Sequence, residues 1–450
     1  MVYNEYGGDK MKRKIYNQLL EWKDKKENKK PLMLLGVRQC GKTHIIDEFC
    51  KNEFKYYKKV NLFNDTNIIE LYKSNLSSDQ KYKEFKINID FDFDKEDSIL
   101  FIDEIQECEE LISELKYFCE EHNNVRIICA GSLLGVKLNR MKKSYPVGKV
   151  ERLYLYPMDF EEFLMAFNED MLIDYIKECF KKNKSMGTIH KKALDYYRKY
   201  LITGGMPESV KNMVSCNSDY INYDTNILLN IINDYRDDMN KHVDNFSETL
   251  KINNIYNSLP SQLMNASKKF QFSKIDDDAR KRSHLVPLVW LENSNMVQVC
   301  KLVKLPEKPL LGFTDDETFK VYYSDVGILN SLVNITIKDI LNDEIKIYKG
   351  IVTENYVANQ LKANGVPLLY WKGIRESEID FLLSTSDDGI IPVEVKADEN
   401  TQSKSLKVYN ELYHPKYMIR LSTKDFGYNK ITNIKSIPLY AAFLLSNLTK

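Results

Sequence analysis

An apolar run, a glycine-containing loop and a helical pattern follow one another without a break at residues 31–50, where the chain reads PLMLLGVRQCGKTHIIDEFC. Within this stretch, residues 36–43 fit the spacing GxxxxGKT. Glycines let a backbone loop curl so that its N–H groups face phosphate oxygens, and the N-terminus of the following helix adds its dipole. The sequence therefore predicts a phosphate-binding loop, called the phosphate loop below, made of Gly36, Val37, Arg38, Gln39, Cys40, Gly41, Lys42 and Thr43.

Lys42 and Thr43 give the phosphate loop its predicted chemistry. A lysine at this place reaches the β- and γ-phosphates, and the hydroxyl of the next residue is offered to Mg²⁺. ATP and Mg²⁺ are therefore the cofactors that the sequence predicts. The alternative is a glycine-rich turn that precedes a helix by chance.

A pair of acidic residues follows a second apolar run, SILFIDEIQ. The run predicts a buried strand that delivers Asp103 and Glu104 to its carboxyl end, where ligands bind in open α/β sheets. Asp103 would hold Mg²⁺ directly or through water, and Glu104 would act as the general base towards the attacking water. Two solvated acids at the end of a strand are the alternative, which the upstream phosphate loop makes less favourable.

Polar residues near the next strands supply further candidates. VRIICAGSLLG predicts a buried strand that ends at Ser132, either as a polar sensor near the γ-phosphate or simply as part of a turn. Lys149 and Arg152, in GKVERLYLYP, are candidates to approach a nucleotide or the nucleotide of a neighbour, but a role as solvated surface residues is favoured for both.

The order of the patterns predicts the domain organisation. A chain of 450 residues is too long for one core. Its first part alternates strands and helices, which implies a parallel sheet with helices on both faces. A helical region follows, then helices with short strands that resemble a winged helix. The last part begins with the helix GIVTENYVANQLKANG and continues through the strands PLLYW, EIDFLL and IIPVEVKA.

Composition excludes several classes of protein. The 65 basic and 65 acidic side chains cancel, so no global field draws the chain to nucleic acid or to a membrane. No apolar run approaches the ~20 residues of a membrane span, and the first residues lack the apolar core of a signal peptide. The 8 cysteines form no CxxC pair, which is typical of reduced thiols. We expect a cytoplasmic protein with no membrane partner.

Together these residues resemble the AAA+ ATPases of prokaryotes. More narrowly, they are similar to a subgroup whose phosphate loop reads G-x-R-Q-x-G-K-T and whose next motif strand ends in D-E. That subgroup continues with a G-S strand end, a P-x-x-F-x-E-F segment, a GG-x-P corner and a C-terminal domain of unknown function. This chain has AGSLLG, PMDFEEFL, GGMPESV and VYYSDVGIL in that order. Lys149 stands where relatives often have arginine, which weakens the assignment of an arginine finger there.

The resemblance implies an α/β fold built on a P-loop AAA+ parallel sheet. It implies four segments: an ATP-binding domain at 1–155, a helical lid at 156–235, a winged-helix-like region at 236–335 and a C-terminal α/β domain at 336–450. In the family, this last part resembles the PD-(D/E)xK fold of restriction endonucleases.

The stretch EIDFLLSTSDDGIIPVEVKA carries the candidate nuclease residues. A nuclease of this class needs carboxylates around one or two Mg²⁺ ions and a lysine near the attacking water. Asp380, Glu394 and Lys396 can converge on one face, because residues two apart on a strand point to the same side. Glu354, on the preceding helix, is a further candidate metal ligand with Asp380 and Glu394. Two amphipathic strands whose charges face water are the alternative.

DNA is the candidate macromolecular partner, and the sequence identifies no protein partner. The basic run 280–282 would form the basic edge of a DNA-binding winged helix or a simple loop. In a third alternative, an arginine of this run lies in the lid and senses ATP. Lys404, Lys407 and Arg420 would contact phosphates or form a solvated face. The predicted function is Mg²⁺-dependent ATP hydrolysis that moves a nuclease-like domain acting on DNA. The alternative is a nucleotide-controlled switch that binds DNA or protein without cutting.

Overall fold

The structure is a computed structural model that describes residues 11–25, 27, 29–141, 146–241, 246–265, 268–275, 279–373, 377–398 and 403–449. The chain divides into two compact units. Residues 13–156 and 293–295 form the first, called the N-terminal unit, and the rest of the described chain forms the C-terminal unit. The three segments predicted after residue 155 lie almost entirely within the C-terminal unit.

The N-terminal unit is an α/β layer structure. Its helices are α1 Ile15–Lys23, α2 Lys42–Glu53, α3 Thr66–Lys73, α4 Ser78–Asn88, α5 Glu109–Glu121 and α6 Leu134–Arg140. Its strands are β1 Leu32–Leu35, β2 Tyr56–Asn61, β3 Ser98–Asp103, β4 Ile127–Ala130 and β5 Glu151–Tyr154. The strands form one sheet in the order β2-β3-β4-β1-β5, and every neighbouring pair is parallel.

Apolar composition explains the centre of this sheet. Strands β1, β3 and β4 are buried at every residue, as expected for parallel strands that are covered on both faces. The parallel α/β architecture predicted from the sequence is therefore confirmed. Strand β5 was not predicted, because ERLY alternates half-buried and exposed residues at the edge of the sheet.

The C-terminal unit begins with a helical region and continues with mixed elements. Its helices are α7 Phe160–Ala166, α8 Asp170–Lys182, α9 Ile189–Thr203, α10 Pro207–Ser215, α11 Asn226–Lys241, α12 Phe246–Leu263, α13 Lys281–Asn293, α14 Val326–Leu332, α15 Ile337–Leu341, α16 Lys346–Ala363 and α17 Lys404–Tyr413. Its strands are β6 Val297–Val303, β7 Thr314–Tyr323, β8 Leu369–Lys372, β9 Glu378–Ile379, β10 Phe381–Ser384, β11 Ile390–Val395, β12 Met418–Ser422, β13 Gly427–Asn429 and β14 Ile434–Pro438.

Two sheets organise these strands. One has the order β7-β6-β8-β9, and the other has the order β10-β11-β12-β14-β13. Because β6 pairs in parallel with β8, the first sheet crosses the predicted segment boundary between residues 335 and 336. The predicted winged-helix region contains α12, α13 and the antiparallel pair β6–β7. Since that pair belongs to a larger sheet, the winged helix stays a prediction.

Two further findings concern the chain's chemistry. No helix within the described ranges combines the length and the apolar character that crossing a membrane requires. All eight cysteines carry free thiols, and six of them are buried.

Candidate functional site

The phosphate loop connects β1 to α2. A side chain at Gly36 would place its Cβ 2.1 Å from the carbonyl oxygen of Leu155, so only glycine allows this close approach. Gly41, with φ of 93°, takes the left-handed conformation just before α2 begins. Cys40 is buried and its Sγ donates to the carbonyl of Leu155 at 3.4 Å. From outside the loop, Arg13 Nη1 donates to the Cys40 carbonyl at 2.9 Å. The phosphate loop is therefore anchored by two contacts, one to Leu155 and one to Arg13.

Lys42 lies across this loop. Its Nζ donates to the carbonyl oxygens of Gly36 and Val37 at 2.9 and 2.8 Å, and its side chain is buried. Arg38 and Gln39 form the half-buried tip, where Gln39 has a positive φ of 63°. The ammonium group is thus positioned inside the loop by the loop's own backbone.

Asp103 ends β3 and meets the first turn of α2. Thr43 Oγ1 lies 3.2 Å from Asp103 Oδ1 and 3.3 Å from Oδ2. Lys59 Nζ, from the neighbouring strand β2, lies 3.1 Å from Asp103 Oδ2. Lys59 was not predicted, because it lies in the middle of KYYKKVNLF and reaches Asp103 only where β2 lies beside β3.

Glu104 follows β3 directly and adopts a positive φ of 55°. Its Oε2 accepts a hydrogen bond from Gln106 Nε2 at 2.5 Å. Gln106 was also missed, although it stands in the IDEIQ motif that carries both acids.

Ser132 lies at the same edge of the sheet. The register pairs Ala130, the last residue of β4, with Leu34 on one side and Asp103 on the other. Ser132 comes two residues after Ala130. It therefore lies just beyond the carboxyl end of β4, as the phosphate loop lies just beyond the carboxyl end of β1. Its side chain is half-buried.

The other two candidates of this unit lie at its surface. Lys149 Nζ forms an ion pair with Glu120 at 2.9 Å, and this partner raises the pKa of Lys149. Arg152 is an exposed residue of the edge strand β5.

Thr43 and Asp103 fit a magnesium ion by their chemistry. Mg²⁺ prefers oxygen ligands and is usually held by one or two protein groups together with water and substrate phosphates. The two residues bring a hydroxyl and a carboxylate within 3.3 Å of each other. Both would hold the ion at the edge of the sheet beside the phosphate loop.

In the C-terminal unit, Glu354 is the centre of a buried charge cluster. Its Oε1 lies 2.9 Å from Lys320 Nζ and 2.5 Å from the Tyr322 hydroxyl, and Lys268 Nζ contacts its Oε2. Lys320 also lies 2.5 Å from Glu378 Oε1. We call Lys268, Lys320, Tyr322, Glu354 and Glu378 the Glu354 cluster.

Charge compensation decides the protonation states of this cluster. Burial alone would lower the pKa of Lys320, but the carboxylates of Glu354 and Glu378 raise it well above its ordinary value. Burial would raise the pKa of Glu354, but Lys268 and Lys320 bring it far below its usual range. The Glu354 carboxylate is therefore ionised and already paired with two ammonium groups.

Asp380 lies beside this cluster, between β9 and β10. Its Oδ2 accepts a hydrogen bond from the Val395 backbone N–H at 2.7 Å. Burial and the neighbouring Glu354 carboxylate raise the pKa of Asp380 to about 7. Phe381 pairs with Val393 in the antiparallel register, so Asp380 and Glu394 are the next residues along the two strands.

Glu394 and Lys396 form a pair on and just beyond β11. Lys396 Nζ lies 3.1 Å from Glu394 Oε1, and Glu394 is buried while Lys396 is about one third exposed. Across the described residues, no three or more His, Cys, Asp or Glu side chains are grouped so that they could hold a metal ion. The metal-ligand roles of Glu354, Asp380 and Glu394 therefore stay predictions.

Lys268 and Lys320 were missed by the sequence analysis. Lys320 interrupts the apolar run FKVYY, and a lysine in such a run indicates a buried charge with partners. Nothing comparable marks Lys268, which contacts Glu354 across 86 residues of chain.

Three of the basic residues proposed for DNA contacts have side-chain partners within the C-terminal unit. Lys281, in the basic run, pairs with Glu317, and Lys407 lies 4.0 Å from Glu411. Arg420 Nε donates to Ser403 Oγ at 2.8 Å.

The fold and the site together define the class of the N-terminal unit. An α/β fold with a five-stranded parallel sheet and a GxxxxGKT loop matches a P-loop AAA+ domain. In agreement, residues 28–164 match the family model described as an AAA domain. Residues 194–339 and 349–440 match two models that are each described as a domain of unknown function, DUF8612 and DUF4143.

Solved structures show only distant similarity to the chain. The Aeropyrum pernix ORC2 protein is 13% identical, with 74% of this chain and 92% of that chain covered and a TM-score of 0.34. CDC6P from Pyrobaculum aerophilum is 14% identical, with 76% and 97% covered and a TM-score of 0.27. A Thermotoga maritima RuvB variant is 13% identical, with 68% and 90% covered and a TM-score of 0.29. The comparison with curated proteins gave no match.

Proposed function

We propose that the N-terminal unit binds Mg²⁺–ATP at the phosphate loop and hydrolyses it. The observation that carries this proposal is the contact of the Thr43 hydroxyl with the Asp103 carboxylate, 3.2 Å apart, beside the buried amine of Lys42. These three groups meet at the carboxyl edge of a parallel sheet, which is where open α/β sheets bind ligands.

Each residue has a separate task in this proposal. The backbone N–H groups of the phosphate loop and the N-terminus of α2 bind the phosphates, and the Lys42 ammonium adds a positive charge. Thr43 and Asp103 would hold Mg²⁺, which neutralises charge on the phosphate oxygens when it is bound. The Glu104 carboxylate accepts the proton of the attacking water. Ser132 offers its hydroxyl to the γ-phosphate.

ATPase assays on matched variants test this function. Lys42→Ala should lose both ATP binding and hydrolysis, because it removes the positive charge that faces the phosphates. Glu104→Gln should keep ATP binding while its kcat falls by about 10²-fold or more, as expected for the loss of a general base. Lys51→Ala is the control, because this exposed lysine lies on the same helix and pairs with Asp47 at the surface. Hydrolysis at the wild-type rate in Lys42→Ala would overturn the proposal.

For the C-terminal unit we propose a nucleotide-controlled switch that binds DNA or a protein without cutting. The Glu354 cluster favours this function over a nuclease. A carboxylate that binds a divalent cation must first lose its other cations, and Glu354 is bound by two lysines and a tyrosine inside the protein. Separating such a buried ion pair leaves uncompensated charges and is strongly unfavourable.

The competing function is a metal-dependent nuclease acting through Asp380, Glu394 and Lys396. Plasmid DNA incubated with the protein and Mg²⁺ or Mn²⁺ separates the two. The switch predicts DNA or partner binding without nicking. Nicking by the wild type that is lost in Asp380→Ala and kept in Asp387→Ala, an exposed loop control, would establish the nuclease instead. Equal nicking by all three proteins would point to a contaminant or another site.

A further inference from the structure

We propose that Gln106 is a positioning residue that orients the Glu104 carboxylate for ATP hydrolysis, and that Gly131 provides the space that Gln106 needs. This inference rests on the proposed ATPase function. It assigns a task to a residue outside the phosphate loop and outside the acidic pair.

The backbone brings Glu104 and Gln106 together. Residues two apart do not face each other on a helix. Here Glu104 has φ of 55°, and a short 3₁₀-helical segment, Ile105–Glu107, starts immediately after it. This turn directs Gln106 Nε2 to within 2.5 Å of Glu104 Oε2. A positive φ at a non-glycine residue is disfavoured and persists where the surroundings impose it, so the turn is a built feature of this site.

Burial restricts Gln106 to this orientation. Its side chain is only 5% exposed. A Cβ at residue 131 would lie 1.7 Å from Gln106 Oε1 and 2.8 Å from its Cδ, so Gly131 is required for the side chain to lie where it does. Gly131 directly follows β4, and Glu104 directly follows the neighbouring strand β3. Gln106 therefore occupies the space between the ends of two adjacent strands.

An amide suits this position better than a cation would. A hydrogen bond from a neutral donor to a carboxylate fixes its direction and is stronger than a bond between two neutral groups. A lysine or arginine at the same distance would form an ion pair and make the carboxylate a weaker base. Gln106 thus orients the Glu104 carboxylate without adding a positive charge that would neutralise it.

The first test separates ATP binding from turnover. Gln106→Ala should bind a fluorescent ATP analogue in Mg²⁺ with the wild-type Kd, keep the wild-type KM and lose at least tenfold in kcat. Gln18→Ala, at an exposed residue of α1, is the matched control and should behave as the wild type. A kcat within twofold of the wild type in Gln106→Ala would overturn the inference.

Gly131→Ala tests the contact from the other side. The three heavy atoms nearest to the added methyl group all belong to Gln106, so this change should displace Gln106 and lower kcat as Gln106→Ala does. The double variant should be no slower than either single variant, because both changes remove one contact. Losses that multiply would overturn the role given to Gly131. If the wild type fails to hydrolyse ATP, the proposed function itself is wrong. If the wild type hydrolyses ATP and the variants at residues 106 and 131 do so at the same rate, only the positioning role is wrong.

Discussion

At the scale of single residues, Lys59 is the least expected group near the nucleotide site. Its ammonium lies 3.1 Å from Asp103 Oδ2, on the carboxylate that we propose as a magnesium ligand. Lys59 and Mg²⁺ would therefore compete for the same negative charge. The lysine is about one third exposed, which weakens its attraction for the carboxylate by solvent screening.

We expect Lys59→Ala to lower the Mg²⁺ concentration that gives half-maximal ATPase activity. A partly exposed ion pair contributes up to about 1 kcal/mol, which corresponds to about a fivefold change in apparent affinity. Magnesium titrations of the ATPase rate check this, with Lys58→Ala as the control because neighbouring residues of a strand point to opposite faces. A higher magnesium requirement in Lys59→Ala would mean that Lys59 supports the site instead.

The residues found from sequence and those missed differ in a physical way. Lys42, Thr43 and Asp103 belong to motifs in which spacing along the chain fixes their place relative to a strand end. Lys59 reaches Asp103 only because β2 lies beside β3, and Lys268 reaches Glu354 only through the tertiary fold. Such contacts depend on the order of the strands and on tertiary packing, and neither can be read from one sequence.

At the scale of elements, two motifs that were weak in isolation turn out to touch. Asp325, in VYYSDVGIL, caps α14 by accepting from Ile328 N at 3.0 Å, and its other oxygen accepts from Gly205 N at 2.6 Å. Gly205, in GGMPESV, is so close to Met158 that an added Cβ would lie 2.1 Å from its carbonyl oxygen. The sequence identified both motifs, but the contact between them across 120 residues could not be predicted.

Gly205→Ala should destabilise the C-terminal unit by about 3 kcal/mol, because a methyl group pressed against a backbone carbonyl forces the chain to shift. Gly350→Ala is the control, since a Cβ there meets no atom within 4 Å and the residue lies inside helix α16. Alanine should stabilise that helix by about 0.5–1 kcal/mol. Urea unfolding followed by circular dichroism measures both changes, and equal stability of the two variants would contradict the packing argument.

The same junction should make stability depend on pH. Burial raises the pKa of Asp325 from 3.8 to about 6, although backbone N–H groups oppose this rise. Between these two values the folded state binds more protons than the unfolded state, so the contribution of Asp325 to the free energy of unfolding is largest below pH 3.8 and is lost as the pH rises through about 6. The whole change is about 3 kcal/mol at most.

Asp325→Asn removes this titration. The stability of the wild type relative to Asp325→Asn should therefore decrease as the pH rises from 4 through 6, and become constant roughly one pH unit above the folded-state pKa. Urea unfolding of both proteins at each pH measures the difference. A difference that increases with pH would show that the backbone hydrogen bonds to the carboxylate outweigh its burial.

At the scale of the whole molecule, the chain passes between the two units several times, after residues 12, 156, 292 and 295. Residues 293–295 belong to the N-terminal unit, yet they connect α13 to β6 of the C-terminal unit. Each of these crossings is a covalent link between the N-terminal unit and the C-terminal unit. This connectivity gives the proposed coupling of ATP to the C-terminal unit a physical route.

Hydrogen exchange measured by mass spectrometry tests the coupling. In Glu104→Gln, which should hold ATP without turnover, Mg²⁺–ATP at 100 times its Kd should stabilise the N-terminal unit by about 2.7 kcal/mol and slow exchange around residues 36–43. If α13 and β6 transmit the effect, exchange in residues 281–303 should change as well. The double variant Lys42→Ala/Glu104→Gln should show neither response, because it has lost the nucleotide. A response confined to residues 13–156 would show that ATP binding leaves the C-terminal unit unaffected, and the switch function would then lack its control element.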